Sequence, residues 1–99
     1  MRKTRFLAVV FLPGFWESYG RVSLDCQKAT DKTILALIKQ EPTPGMRPKP
    51  ILPDKYFYEV RINQSDRLIY RVDSDGLRLA DIVSHDDIGR YGQRPTPLR

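Results

Sequence analysis

The stretch from Tyr56 to His85, YFYEVRINQSDRLIYRVDSDGLRLADIVSH, decides the fold. In YFYEVRI, Tyr56, Tyr58, Val60 and Ile62 alternate with Phe57, Glu59 and Arg61, the period of two expected of a strand with two unlike faces. In RLIYRV, Leu68, Tyr70 and Val72 share one side and Arg67, Ile69 and Arg71 the other. NQSD between the two runs has hairpin length, and DSDG at residues 73–76 is a turn signal before LRLADIV. The reading is a three-stranded antiparallel meander.

Upstream, TRFLAVVFL is short, apolar, β-branched and aromatic and stops at Pro13, which makes residues 5–12 a buried strand able to pair along one edge of the meander. PGFWESYGR can start a helix at Pro13 and end near Gly20, with Phe15, Trp16 and Tyr19 as an apolar patch against the sheet. Ser23 is the expected N-cap of a second helix, Asp25 sits in its first turn, and LDCQKATDKTILALIKQ runs without Gly or Pro to Gln40. Leu24, Ile34, Leu37 and Ile38 are expected to face the core. In EPTPGMRPKPILP, residues 41–53, five prolines and a glycine in thirteen residues exclude regular structure. The expected fold is α+β in the order β-α-α-β-β-β, with two helices packed on one face of a curved antiparallel sheet and the other face open. Residues 1–92 form one domain and 93–99 a flexible tail.

The chain has 99 residues, enough for one modest core. Seventeen Lys and Arg against twelve Asp and Glu give a formal charge of +5, which suits a polyanion or an acidic protein as partner. A lone cysteine, Cys26, excludes an internal disulfide and fits a reducing cytoplasm; inside a helix it reads as a packing residue. The basic MRKTR before FLAVVFL has the outline of a signal peptide, but the apolar run is seven residues long and Pro13-Gly14 interrupts it, so it reads as a strand. No apolar run approaches the ~20 residues of a membrane span.

The last polar cluster is SHDDIGRYG, residues 84–92, which holds the only histidine. His85 beside Asp86 and Asp87 is compatible with a general acid, a metal ligand or a polar residue ending a strand. Metal binding is disfavoured, because adjacent residues rarely converge on one ion and no second histidine exists.

With these segments in place, the chain resembles the RelE/ParE superfamily, the toxins of bacterial type II toxin–antitoxin pairs. The resemblance rests on the opening apolar strand, the helical hairpin before P-T-P-G, the strand ending at Arg61, DRLIYRV, and DGLRLADIVSH leading to His85 and Tyr91. The superfamily contains two activities. RelE-like members, with the YoeB and YafQ types, cut mRNA in the ribosomal A site without a metal, whereas ParE-like members bind DNA gyrase and cut nothing; fold alone does not choose between them.

By this resemblance Arg67 contacts the scissile phosphate, which a guanidinium fork holds bidentately without losing its charge. His85 stands where the cleaving members carry an arginine or a histidine, and an imidazole can protonate the leaving 5′ oxygen. Tyr91 corresponds to a carboxy-terminal tyrosine that orients the 2′-OH or stacks on a base. Arg61 and Arg71 extend the positive surface toward RNA. Glu59 is the candidate base, although the carboxylate of YoeB-like toxins lies earlier in the chain, and Asp86 and Asp87 add negative charge that an RNA-cleaving site does not favour. The resemblance implies no cofactor and no metal, a cytoplasmic location, and as partners a cognate antitoxin and the mRNA-bearing ribosome. The alternatives are DNA gyrase as target, or a catalytically silent interaction module.

Overall fold

The computed structural model describes residues 8–74 and 76–92. The chain enters through β1 (Ala8–Phe11), turns at Leu12 into α1 (Pro13–Arg21) and continues into α2 (Leu24–Lys39). A proline-rich stretch then carries a 3-10 turn (Pro44–Met46) and β2 (Lys49–Pro50), followed by β3 (Tyr58–Arg61), β4 (Asp66–Asp73), β5 (Gly76–Ser84) and a closing 3-10 segment, His85–Tyr91. One sheet results, in the order β1-β5-β4-β3-β2. Only the β1–β5 pair is parallel. The α+β class and the meander are as the sequence indicates. Of the residues expected in the first strand, 5–7 lie outside those described, as does the 93–99 tail.

Local chemistry explains the boundaries. Pro13 occupies the first turn of α1, where its missing N–H is not needed. Ser23 caps α2 by accepting from the Cys26 N–H at 3.1 Å, Asp25 follows in the first turn, and Gln40 closes the helix in the left-handed region at φ 59°. At the β3–β4 turn, the Asn63 side-chain carbonyl accepts from the N–H groups of Ser65 (2.9 Å) and Asp66 (2.8 Å), holding a tight loop. The parallel pair sets Gly76 against Ala8, and a Cβ at Gly76 would stand 2.5 Å from the Ala8 carbonyl oxygen.

Three expectations are corrected. The proline-rich stretch does contribute a strand: Lys49 and Pro50 pair with Glu59 and Tyr58 at the sheet edge, where a proline costs no ladder bond on its outer side. Leu24 and Ile38 are exposed, and the buried side of α2 consists of Cys26, Thr30, Thr33, Ile34 and Leu37. Thr33 is tolerated there because its hydroxyl donates to the Ala29 carbonyl at 2.9 Å.

Finally, the sheet has no open face. The helix side packs Phe15, Ile34 and Leu37 onto Val60, Leu68, Tyr70, Leu77, Leu79 and Ile82. On the other side Ile51, Ile69, Ala80 and Val83 form a second cluster, with Leu12, Phe57, Ile88 and Tyr91 against it. The cover comes from the turn before α1 (Leu12), the approach to β3 (Phe57) and the closing 3-10 segment (Ile88 and Tyr91), and the chain after the proline-rich stretch is tied to the last of these where the Asp54 N–H donates to the Gly92 carbonyl at 2.9 Å.

Candidate functional site

Strand periodicity sends Glu59, Arg61, Arg67, Ile69, Arg71 and Val83 to the side of the sheet away from the helices. Arg61 pairs with Arg67 across β3–β4, and Arg67 with Val83 across β4–β5. His85 follows Val83 by two residues on the same side, and its N–H donates to the Ser65 carbonyl at 2.8 Å, continuing the ladder. Ladder register thus places Glu59 and Arg67 at one end of this side, with Arg61 opposite Arg67 at the sheet end and His85 leading out of β5 next to the β3–β4 turn.

Their side chains are held differently. Arg67 turns its Nη1 onto the hairpin carbonyls of Asn63 (3.0 Å), Gln64 (3.2 Å) and Asp66 (3.1 Å). Its Nε faces the Glu59 carboxylate at 3.8 Å, and the side chain is 12% exposed. Arg61 Nε donates to the Asn63 carbonyl at 3.4 Å, and Arg61 also borders a cleft of about 460 Å³ shared with Lys32, Asn63 and Gln64. His85 stands in solvent, its side chain 63% exposed, with Nδ1 3.7 Å from Asp86 Oδ1. Asp87 is turned aside, accepting from the Ser84 hydroxyl at 3.2 Å. Nε2 of His85 is thus the nitrogen that faces away from the neighbouring carboxylates' contacts.

Arg71 and Tyr91 lie elsewhere. Arg71 is four residues along β4 from Arg67, roughly 13 Å. It donates to the Tyr56 carbonyl at 2.8 Å, stacks over the Tyr56 ring at 3.7 Å and pairs with Asp73 at 3.0 Å. Tyr91 donates its hydroxyl to Asp81 and sets its ring edge-on to Phe57, centroids 5.2 Å apart. Burial, and then the hydrogen bond to the Asp81 carboxylate, push its hydroxyl pKa well above the usual tyrosine range. Asp81 lies inside β5, three residues before its last residue Ser84, whereas His85 opens the 3-10 segment beyond the strand.

Asp81 is the residue that sequence reasoning passed over. Its carboxylate accepts from Tyr91, from the Ser18 hydroxyl of α1 and from the Ile82 N–H at 2.8 Å. These contacts border a polar cleft of about 410 Å³ that Glu17, Arg21 and Arg90 also line. The available signal was an acid inside the apolar run LRLADIV, where a charge needs partners. Cys26 is buried, donates to Asp66 at 3.4 Å, and has its thiol pKa raised by burial first and the Asp66 charge second. That is packing rather than nucleophile chemistry. Among the described residues no three His, Cys, Asp or Glu side chains are grouped to hold a metal, and no helix is long and apolar enough to cross a membrane.

No family model and no curated protein matches the chain. Solved structures do. A copper-bound mutant toxin from Helicobacter pylori is 26% identical, covering 83% of this chain and 98% of its own at a TM-score of 0.72. RelE in its complex with the antitoxin RelB from Methanococcus jannaschii is 15% identical over 85% of this chain and 99% of its own, at 0.66. The YoeB dimer from Staphylococcus aureus is 23% identical over 80% and 97%, at 0.65. The fold is that of the RelE, YoeB, YafQ and ParE toxins of toxin–antitoxin pairs.

Proposed function

We propose that this chain, built on the RelE-like fold, is the toxin of a type II toxin–antitoxin pair and acts as a ribosome-dependent, metal-independent mRNA endoribonuclease that stops translation. The support for the proposal is the β4–β5 register, in which Arg67 lies opposite Val83, two residues before His85, while Arg61 lies opposite Arg67 on the other side of β4. In this reading the scissile phosphate lies over the two guanidinium groups, which stabilise the charge gathering on the phosphorane oxygens. The ribose 2′-OH attacks phosphorus, its proton passing to Glu59. The bond from phosphorus to the 5′ oxygen breaks as His85 Nε2 delivers a proton to that oxygen, leaving a 2′,3′-cyclic phosphate and a 5′-hydroxyl. Arg71 extends the positive track along β4. Tyr91 orients the 2′-OH or stacks on a base once its hydroxyl leaves Asp81. No cofactor takes part. The cognate antitoxin is the proposed partner by likeness to the RelB–RelE complex, and the site of action is the cytoplasm.

A second reading has its own support. Three hairpin carbonyls engage Arg67 Nη1, and Asp81 engages Tyr91; both residues are stabilised by structural contacts in the free chain. A ParE-like toxin that binds DNA gyrase, or a silent interaction module, would need nothing more of them. The test is a cell-free translation reaction in which the 5′ ends of a defined message are mapped after adding the chain. Cuts at A-site codons with the wild type, absent with His85→Ala and Arg67→Ala, are expected. An intact message rejects the nuclease, and inhibited supercoiling in a gyrase assay then selects the second reading.

A further inference from the structure

The β3–β4 turn serves two neighbourhoods. Its Gln64 carbonyl accepts from Arg67 Nη1 at 3.2 Å and its Ser65 carbonyl from the His85 N–H at 2.8 Å. The same turn, through Asn63 and Gln64, borders the cleft of about 460 Å³ that α2 and the 3-10 turn at Pro44–Met46 also line. Arg61 belongs to both, since it lines the cleft and pairs with Arg67 across the ladder.

The chemistry of the cleft selects its ligand. Ala36, Met46 and Ile62 give it an apolar floor, and Met46 is only 7% exposed. Among the described residues its charged lining is Lys32 and Arg61, with no carboxylate. Asp66, at the foot of the turn, is engaged elsewhere, accepting from the Asn63 amide at 3.0 Å and the Cys26 thiol at 3.4 Å. The Thr33 hydroxyl donates to the Ala29 carbonyl, and the Asn63 side chain holds the turn. Gln64 is exposed, and its amide offers both donors and an acceptor. A concave site with an apolar floor, two cations and an amide suits a nucleotide: the floor takes the face of the base, the amide its edge and the cations its phosphate.

We infer that this cleft is a nucleotide subsite that seats the RNA nucleotide adjoining the scissile phosphate, its phosphate between Lys32 and Arg61 and its base over Met46 and Ile62 with an edge on Gln64. The identity of the strand rests on the nuclease reading. Arg67 and His85 would then make the cut, and the cleft would fix which nucleotide stands beside it.

The probe is a fully 2′-O-methylated RNA trinucleotide, which lacks the attacking hydroxyl and stays intact. The isotope-labelled full chain is titrated with it and followed by NMR, the Gly45 and Gln64 amides reporting on the cleft and the His85 ring on the other neighbourhood. Saturable shifts in both are expected, weakening with salt. Lys32→Glu should weaken binding at least about tenfold, a difference of about 1.4 kcal/mol, and Lys32→Arg should keep it. Lys39→Glu makes the same charge change on an exposed lysine outside the cleft lining and should cost less than about threefold, because salt screens a remote charge. A free nucleoside monophosphate should bind more weakly than the strand, since it cannot reach Arg67 as well. Shifts at His85 with Gly45 and Gln64 unmoved would overturn the subsite and leave the nuclease reading standing. Shifts in the cleft beside an intact message in the translation assay would reject the nuclease and keep the cleft as an RNA site. Equal losses in Lys32→Glu and Lys39→Glu would overturn the inference as a diffuse charge effect. Equal binding of the free monophosphate or of a glutamate tripeptide would overturn it too, making the cleft a free-nucleotide or a peptide site.

Discussion

Removing the Tyr91 hydroxyl isolates the tie between the closing 3-10 segment and the sheet. In Tyr91→Phe the ring stays against Phe57, and Asp81 keeps the Ser18 hydroxyl and the Ile82 N–H while losing one charge-assisted partner. Hydrogen bonds to charged groups contribute about 1.5–3 kcal/mol, and the partial exposure of the tyrosine places this one near the lower end, at about 1.5 kcal/mol. For a domain of this size that corresponds to a fall in Tm of roughly 6–12 °C. Asp81→Ala should cost more, about 2–3 kcal/mol, because it leaves the Tyr91 hydroxyl and the Ile82 N–H without their acceptor and leaves the Ser18 hydroxyl only the Gly14 carbonyl. Urea and thermal unfolding of the two single variants and the double variant measure the coupling, expected at about 1 kcal/mol or more. A Tyr91→Phe chain within about 0.3 kcal/mol of wild type, or strictly additive losses, would refute the reasoning. Comparing cleavage by the same variant separates the two roles of Tyr91: lower stability with undiminished cleavage makes it an anchor alone.

Gly76→Ala is expected to destabilise by about 2 kcal/mol or more in a denaturant titration, since the added Cβ meets the Ala8 carbonyl and the parallel β1–β5 pair must part. Ser23→Ala should cost about 1 kcal/mol by loss of the α2 cap, and Ser23→Asp should restore most of it. Stability should also fall in alkali. Burial, and then the neighbouring Tyr58, push Tyr70 up to about 12, and Tyr91 is raised as well. A hydroxyl whose folded pKa exceeds its unfolded value of about 10 contributes fully below that pH and loses its contribution as pH climbs toward the folded value. Unfolding free energies measured from pH 9 to 11 should therefore decline, and Tyr91→Phe should decline less steeply; an equal slope would remove Tyr91 as a source.

Much of this fold is legible in periodicity and punctuation. Leu68, Tyr70 and Val72 opposite Arg67, Ile69 and Arg71 read as a strand without help, and Ser23 announces α2. Threonines 30 and 33 hide in a sequence because they read as polar, yet Thr33 satisfies its hydroxyl within its own helix and so packs like an apolar residue. The cover of the second sheet side is illegible for another reason. Ile51, Ile88 and Tyr91 come from segments with no period, and only the closed chain shows that they meet. The candidate site divides in the same way. The resemblance to a toxin family pointed to Arg67 and His85, whereas the strand pairing that sets Arg67 opposite Val83 depends on ladder register, which the sequence does not spell out. The engagement of Tyr91 by Asp81 joins residues from different elements, and Ser18 joins them from 63 positions earlier.

The role given to His85 is open to one direct chemical measurement. Single-turnover cleavage on translating ribosomes is compared for wild type and His85→Ala, using a message with the ordinary 5′ oxygen at the scissile position and one with sulfur in its place. A sulfur leaving group departs without a proton, so the variant's deficit, expected at about 10²–10⁴-fold with oxygen, should shrink to within about tenfold with sulfur. The same deficit on both messages, or no deficit on either, would contradict a general acid at His85.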